Sequence, residues 1–199
     1  EMCIRDRNTI FSKAQDNYYF QLRPFLRSSK MNFIQHYLPG QPIEKNKQTS
    51  SGINFFMDVN SFINHKLSFG INLEIANIDL EEFQPEELTS PNAFNNAVRP
   101  QGFHYDFAVN TNLVAMFLSH EFLTKDDFKI FSNFRLERLN YDYDNLMLDG
   151  RTKDDGTDCG FGGCYYSRPA DTKISYSDNS FRFGFSKLVE SNEFFFQLS

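Results

Sequence analysis

The sequence predicts an all-β chain, an antiparallel transmembrane β-barrel fragment of about seven strands belonging to a larger barrel, with long extracellular loops and short periplasmic turns. Three observations carry this. Apolar residues recur with a period of two, most cleanly as Leu67, Phe69, Ile71, Leu73 and Ile75 against Lys66, Ser68, Gly70, Asn72, Glu74 and Ala76. Two of the strands, 102–123 and 128–145, far exceed the usual five or six residues of globular sheets. Long polar connections also alternate with tight turns along the chain.

Composition sets the limits. The chain has 199 residues, 40% of them hydrophobic and 17% aromatic, with 24 Phe, 9 Tyr and no Trp, a load suited to pleated strands. No run approaches the ~20 apolar residues of a spanning helix. The formal charge of -6 and the pI near 5.2 argue against nucleic acid as a partner.

Residues 1–7, EMCIRDR, lack the apolar core and small-residue cleavage site of a signal peptide. They resemble a translated library adaptor, so the expectation is a non-native segment in which Cys3 has no structural role, followed by barrel over 8–199.

The first strand, 17–27, carries Tyr18, Phe20, Leu22 and Leu26 on one face despite Pro24, and 31–36 can extend it. Residues 37–52, YLPGQPIEKNKQTSSG, read as an exposed connection, and Ile53, Phe55, Met57 and Val59 as a second strand ending in a turn at 61–64. The stripe from Leu67 to Ile75 is the third. At ~3.3 Å per residue it is roughly 26 Å long, or about 20 Å along the membrane normal if tilted ~40°, close to the ~25 Å apolar band of an outer-membrane barrel. A soluble β-sandwich also has one apolar face per strand, so period alone leaves the two architectures level.

Connections decide between them. A polar loop at 81–101 leads into strand 102–123, which returns through a tight turn at 124–127 into strand 128–145. A second large loop follows, and then Phe181, Phe183 and Phe185 turn through 188–193 into Phe194, Phe196 and Leu198. Long loops outside and short turns in the periplasm are the rhythm of a transmembrane barrel. Tyr141 and Tyr143 are expected as part of an interfacial aromatic girdle where the strand leaves the apolar zone.

The segment YDYDNLMLDGRTKDDGTDCGFGGCYYSRPAD, with RPQGFHYDF and FLRSSKMNFIQHYLPGQP before it, resembles the barrel of TonB-dependent outer-membrane receptors, over about 17–199. The resemblance implies a bacterial outer-membrane location, outer-membrane lipid around the barrel, and uptake of a ferric siderophore or similar scarce ligand. Energy would come from TonB acting on a plug region that these residues do not include. This chain would hold about a third of such a 22-stranded barrel.

Ligand contacts are then expected in the loops, from Arg99 and His104 near the first and from Arg151, Phe161, Tyr165, Tyr166 and Arg168 in the second, because arginine pairs with anionic groups and aromatics cover planar ones. Cys159 and Cys164 are expected as a short disulfide, whose ring Gly160, Gly162 and Gly163 allow to close in an oxidised outer loop.

Catalytic and cofactor chemistry find little support. No helix follows CGFGGC to make a phosphate site, and the Asp149 to Asp158 cluster misses calcium-loop spacing. His120 and Glu121 open like a zinc-protease motif, but Thr124 stands where the second His belongs, and the cysteine pair lacks two of the donors of a structural zinc site. His36, His65, His104 and His120 are read as ordinary polar positions. The expectation is a binding protein without enzymatic activity, metal or cofactor; the runner-up is a soluble β-sandwich binding or adhesion module.

Overall fold

The computed structural model describes residues 2–189 and 192–199. It forms a nine-stranded antiparallel sheet in the order β1-β3-β4-β5-β6-β7-β8-β9, with β2 also on β3, so that from β2 onward sequence neighbours pair. The strands are β1 (Met2–Asn8), β2 (Phe11–Gln15), β3 (Tyr18–Ile34), β4 (Ile43–Phe62), β5 (His65–Gln84), β6 (Gly102–Leu123), β7 (Phe128–Asn145), β8 (Thr172–Val189) and β9 (Asn192–Leu198). One six-residue helix, α1 (Ala93–Val98), lies between β5 and β6. This is the β-barrel strand architecture left open: among the described residues β1/β2 and β9 pair on one side only.

The count of about seven is corrected to nine. β1 and β2 run consecutively along the same side of β3, joined by the Thr9 N–H donating to the Pro24 carbonyl at 3.2 Å, so they form one interrupted strand. Residues 2–7 of the segment read as adaptor-derived are therefore paired, and Cys3 is an exposed free cysteine opposite Lys30. The 37–52 connection is also corrected: β4 starts at Ile43, so Lys45, Lys47 and Thr49, read as loop for their polarity, stand in a ladder. β8 likewise starts at Thr172 and β5 continues to Gln84. The 188–193 turn is a hairpin paired up to Val189 and Asn192, and its tip lies outside the described residues.

All long connections (35–42, 85–101, 146–171) lie at one end of the sheet, here called upper, and all short turns at the other. Local chemistry makes the tight turns. Asn64 and Asp127 take the left-handed backbone that Asn and Asp tolerate, and the Thr124 hydroxyl accepts the Phe128 N–H at 3.1 Å.

In the lower half, register lines the apolar stripe up across strands: Phe55 beside Ile71, Ile71 beside Met116, Met116 beside Leu136, Phe134 beside Phe181, and Phe185 beside Phe196. These side chains are half-buried to exposed, Ile75 reaching 59% and Phe181 57%. The opposite, inner face is polar and more buried, with Ser50, Ala76, Ala115 and Ser186 all below 7% exposure. Crowding on one face and splaying on the other is what a sheet curled toward its polar side produces. Glycines assist: a Cβ on Gly52, Gly70 or Gly184 would run into the ring of Phe25, Phe117 or Phe131 respectively, so each ring folds flat over a glycine in the inner face.

In the upper half the pattern inverts. The outer face carries Lys45, Lys47, Asp79, Glu81, Asp106 and Asp142, with Lys45–Glu81 at 3.2 Å and Lys47–Asp79 at 3.7 Å. The inner face carries Ile78, Leu80, Tyr105, Phe107, Val109, Leu139, Tyr141, Tyr143, Ile174 and Tyr176. Tyr141 and Tyr143 are thus not an outward girdle. Their odd numbers place them opposite Phe134 and Leu136, on the inner face, because every strand residue alternates sides.

Candidate functional site

The long connections at the upper end fold into one knot. α1 starts at the N-cap Asn92, whose Oδ1 accepts the Phe94 N–H at 3.0 Å, and ends as the Arg99 N–H donates to the Asn95 carbonyl at 3.2 Å. The Tyr165 N–H donates to the Val98 carbonyl at 2.9 Å, which ties the 146–171 loop to this helix. Within the loop, Gly150 and Arg168 exchange backbone hydrogen bonds of 2.8 and 3.0 Å, and Thr152 bridges to Asp158. Cys159 and Cys164 are joined by a disulfide with a Cα–Cα distance of 5.0 Å. Around it the Cys164 N–H donates to the Arg151 carbonyl and Arg151 Nε returns a bond to the Cys164 carbonyl, both at 2.9 Å. A loop of such polar composition is ordered because its backbone bonds to itself.

Arg168 is the centre of that order. It is 2% exposed, and its guanidinium donates to the carbonyls of Leu148 (2.6 Å), His104 (3.3 Å), Thr152 (2.8 Å) and Lys153 (3.2 Å) and to the Thr152 hydroxyl (3.0 Å). Its polar edges are spent on the loop and on the His104 carbonyl of β6. His104 is fully buried by a bulge: Tyr105 pairs with Glu82 and Phe103 with Phe83, which leaves His104 as the extra residue of β6. Its Nδ1 lies 3.0 Å from Glu82 Oε1 and its Nε2 2.8 Å from the Pro100 carbonyl.

The expected ligand contacts therefore divide. Arg168, His104, Tyr166 and Arg99 are buried to 7% exposure or less and hold the knot together; Tyr166 stacks on His104 at 4.4 Å and packs against the disulfide. Burial pushes the Tyr166 phenol above its ordinary range, with the Arg168 cation pulling the other way. Arg151, Phe161 and Tyr165 stay at the surface, Phe161 at 69% and Tyr165 at 65% exposure. Phe161 meets Phe94 edge-on at 5.5 Å, and the Arg99 guanidinium lies 4.5 Å over Tyr165. The acidic cluster serves turns: Asp155 accepts from the Thr157 hydroxyl and amide, which lowers its carboxyl below the ordinary value.

Sequence reasoning missed the polar network under the knot. Gln35 Nε2 donates to Glu44 at 2.7 Å and Glu82 at 2.9 Å, and Gln84 Nε2 donates to the Arg99 carbonyl at 3.0 Å; with His104 bonded to Glu82 and Pro100 and its carbonyl accepting from Arg168, all three long connections meet in one network. Gly40, at φ +81°, is where the backbone closes on Gln84. The available signal was the lapse of alternation at Glu81–Glu82 and Phe103–His104. The histidines also differ from the plain polar positions expected: His65 Nδ1 and His120 Nε2 lie 2.9 Å apart near the lower turns. Among the described residues no three His, Cys, Asp or Glu side chains are grouped to hold a metal.

Below the knot, the inner face of β6–β8 forms an aromatic wall. Tyr105 meets Tyr166 at 5.9 Å, Phe107 meets Tyr143 at 5.2 Å, and Tyr141 meets Tyr176 edge-on at 6.0 Å.

No family model and no curated protein matches this sequence. Among solved structures, the chain is similar to the crystal structure of the ferric citrate transporter FecA in its unliganded form, with a TM-score of 0.62 at 11% identity. The match covers 98% of this chain and 26% of that one, so the likeness is one of fold, to part of a barrel.

Proposed function

We propose that this chain is a section of an outer-membrane transport barrel, and that the larger protein binds a scarce small ligand at its upper end and imports it. A ferric siderophore is the starting case. TonB would energise passage through a plug segment outside these residues, and the chemistry is binding and passage rather than catalysis. The observation that carries this is the change of apolar face halfway up the sheet. The lower half is apolar outward over ~26 Å of strand, the length a tilted barrel strand needs in the bilayer core. The upper half is charged outward and apolar inward, as strands standing in water would be. Likeness to a transporter barrel supports the same assignment.

A single sheet with an exposed apolar outer face fits lipid better than the runner-up sandwich, which would need a second sheet packed on that face. The test is site-directed labelling in the full-length protein. Single cysteines at Ile71, Met116 and Phe183 should take up membrane-dissolved maleimide, and single cysteines at Lys47, Asp79 and Asp142 a water-soluble one. Aqueous labelling of both sets in intact outer membranes would refute the assignment.

A further inference from the structure

We infer that the aromatic wall on the inner face of β6–β8 is a binding site for a ligand that presents an uncharged ring with an apolar face, aromatic or pyranose, recognised by stacking rather than by charge pairing. The inference rests on the transport proposal and narrows its ligand. From Leu113 up to Tyr105 on β6, from Leu139 to Asn145 on β7 and from Thr172 to Tyr176 on β8, the inner face carries no charged side chain. An inner face elsewhere bearing Arg23, Glu74, Arg135 and Arg182 has here become carbon and phenol. The cations nearest the wall do not serve it, since Arg168 is spent on loop carbonyls and Arg99 lies over Tyr165. A polycarboxylate would find nothing here to pair with, and desolvating it against phenol rings would be unfavourable.

The geometry suits a ring instead. Phe107 with Tyr143 and Tyr141 with Tyr176 are tilted or edge-on pairs, which leave ring faces open for a third ring at stacking distance. Tyr176 is 57% exposed, so the lower edge of the wall is open to a ligand. A hydroxyl-bearing ring ligand would cover the apolar faces while exchanging hydrogen bonds with tyrosine hydroxyls.

The experiment uses the full-length protein in detergent and saturation-transfer NMR, with phenyl β-D-glucopyranoside as the ring probe and citrate at equal concentration as the ringless anion. Saturation should reach the glucoside's ring protons and not citrate. Tyr141→Ala and Tyr176→Ala should each weaken the glucoside by about two- to tenfold, the worth of one aromatic contact, and Tyr→Phe at the same positions should keep most of it. Unchanged glucoside binding in the double alanine variant, no glucoside binding, or preference for citrate would overturn the inference. Nitration by tetranitromethane needs no variant. Tyr141 and Tyr176 should be nitrated in ligand-free protein and protected by the glucoside, whereas protection without ligand would show that another part of the chain covers the wall. Failure of the transport proposal reads out separately, as absence of the protein from the outer-membrane fraction.

Discussion

The lower and upper halves of β5–β8 belong to the same strands but carry their apolar residues on opposite faces. On β5 the apolar run ends outward at Ile75 and resumes inward at Ala76, Ile78 and Leu80; on β6 it passes from Val114 to Leu113, Val109 and Phe107. Nothing in the backbone marks the change, and pairing continues in register through it. The difference teaches that a strand's apolar side is set by where the solvent is. Under the transport proposal the lower half would meet hydrocarbon outside and water inside, and the upper half water outside, with an aromatic inner face.

The most direct way to break the comparison is to exchange the two faces in the lower half. Ile71→Arg puts a charge mid-band on the outer face and should cost about 2–4 kcal/mol of membrane-embedded stability, whereas Asn72→Arg, one residue on and inward, should cost little. Denaturant unfolding in lipid vesicles measures both, and equal costs would mean the outer face does not meet lipid. In the upper half stability should rest on polar closure instead. Arg168→Ala strands buried carbonyls and should weaken the knot by about 2–3 kcal/mol, read as faster amide exchange at Gly150 and Tyr165 with the lower strands unchanged. Arg168→Lys should not rescue it, because a single ammonium cannot reach the same spread of acceptors.

Opening the disulfide sharpens the contrast further. With Cys159→Ser and Cys164→Ser together, the six-residue ring should lose roughly 2 kcal/mol of local order while barrel insertion persists. In the unmutated, unreduced protein both thiols should resist alkylation. The smallest effect belongs to the inner face of the lower half, where Gly70→Ala drives a methyl into the Phe117 ring and should cost about 1 kcal/mol. Phe117→Leu in the same chain should recover most of it, and additive losses would show that the ring does not lie over the glycine as placed.

Much of this was legible in the residues. The period of two in Leu67–Ile75, the length of β6 and β7, and the tight turns at 61–64 and 124–127 follow from local chemistry, since alternation, β-propensity and turn residues act within a few positions of the chain. An antiparallel sheet with long connections at one end was therefore written in the sequence by itself. Polarity misled in the upper half: Lys45–Thr49 reads as loop because a strand with one charged face looks hydrophilic, and only pairing with a neighbour shows it to be strand. Tyr141 and Tyr143 were misplaced for a related reason, because a tyrosine's side of the sheet is settled by counting from an apolar residue whose own side is known. The tertiary structure alone decided that Arg168, His104, Arg99 and Tyr166 close the knot and that Phe161 and Tyr165 remain outside it. Those roles depend on carbonyls and rings as far as 64 positions away in the chain, and composition carries no record of such distances.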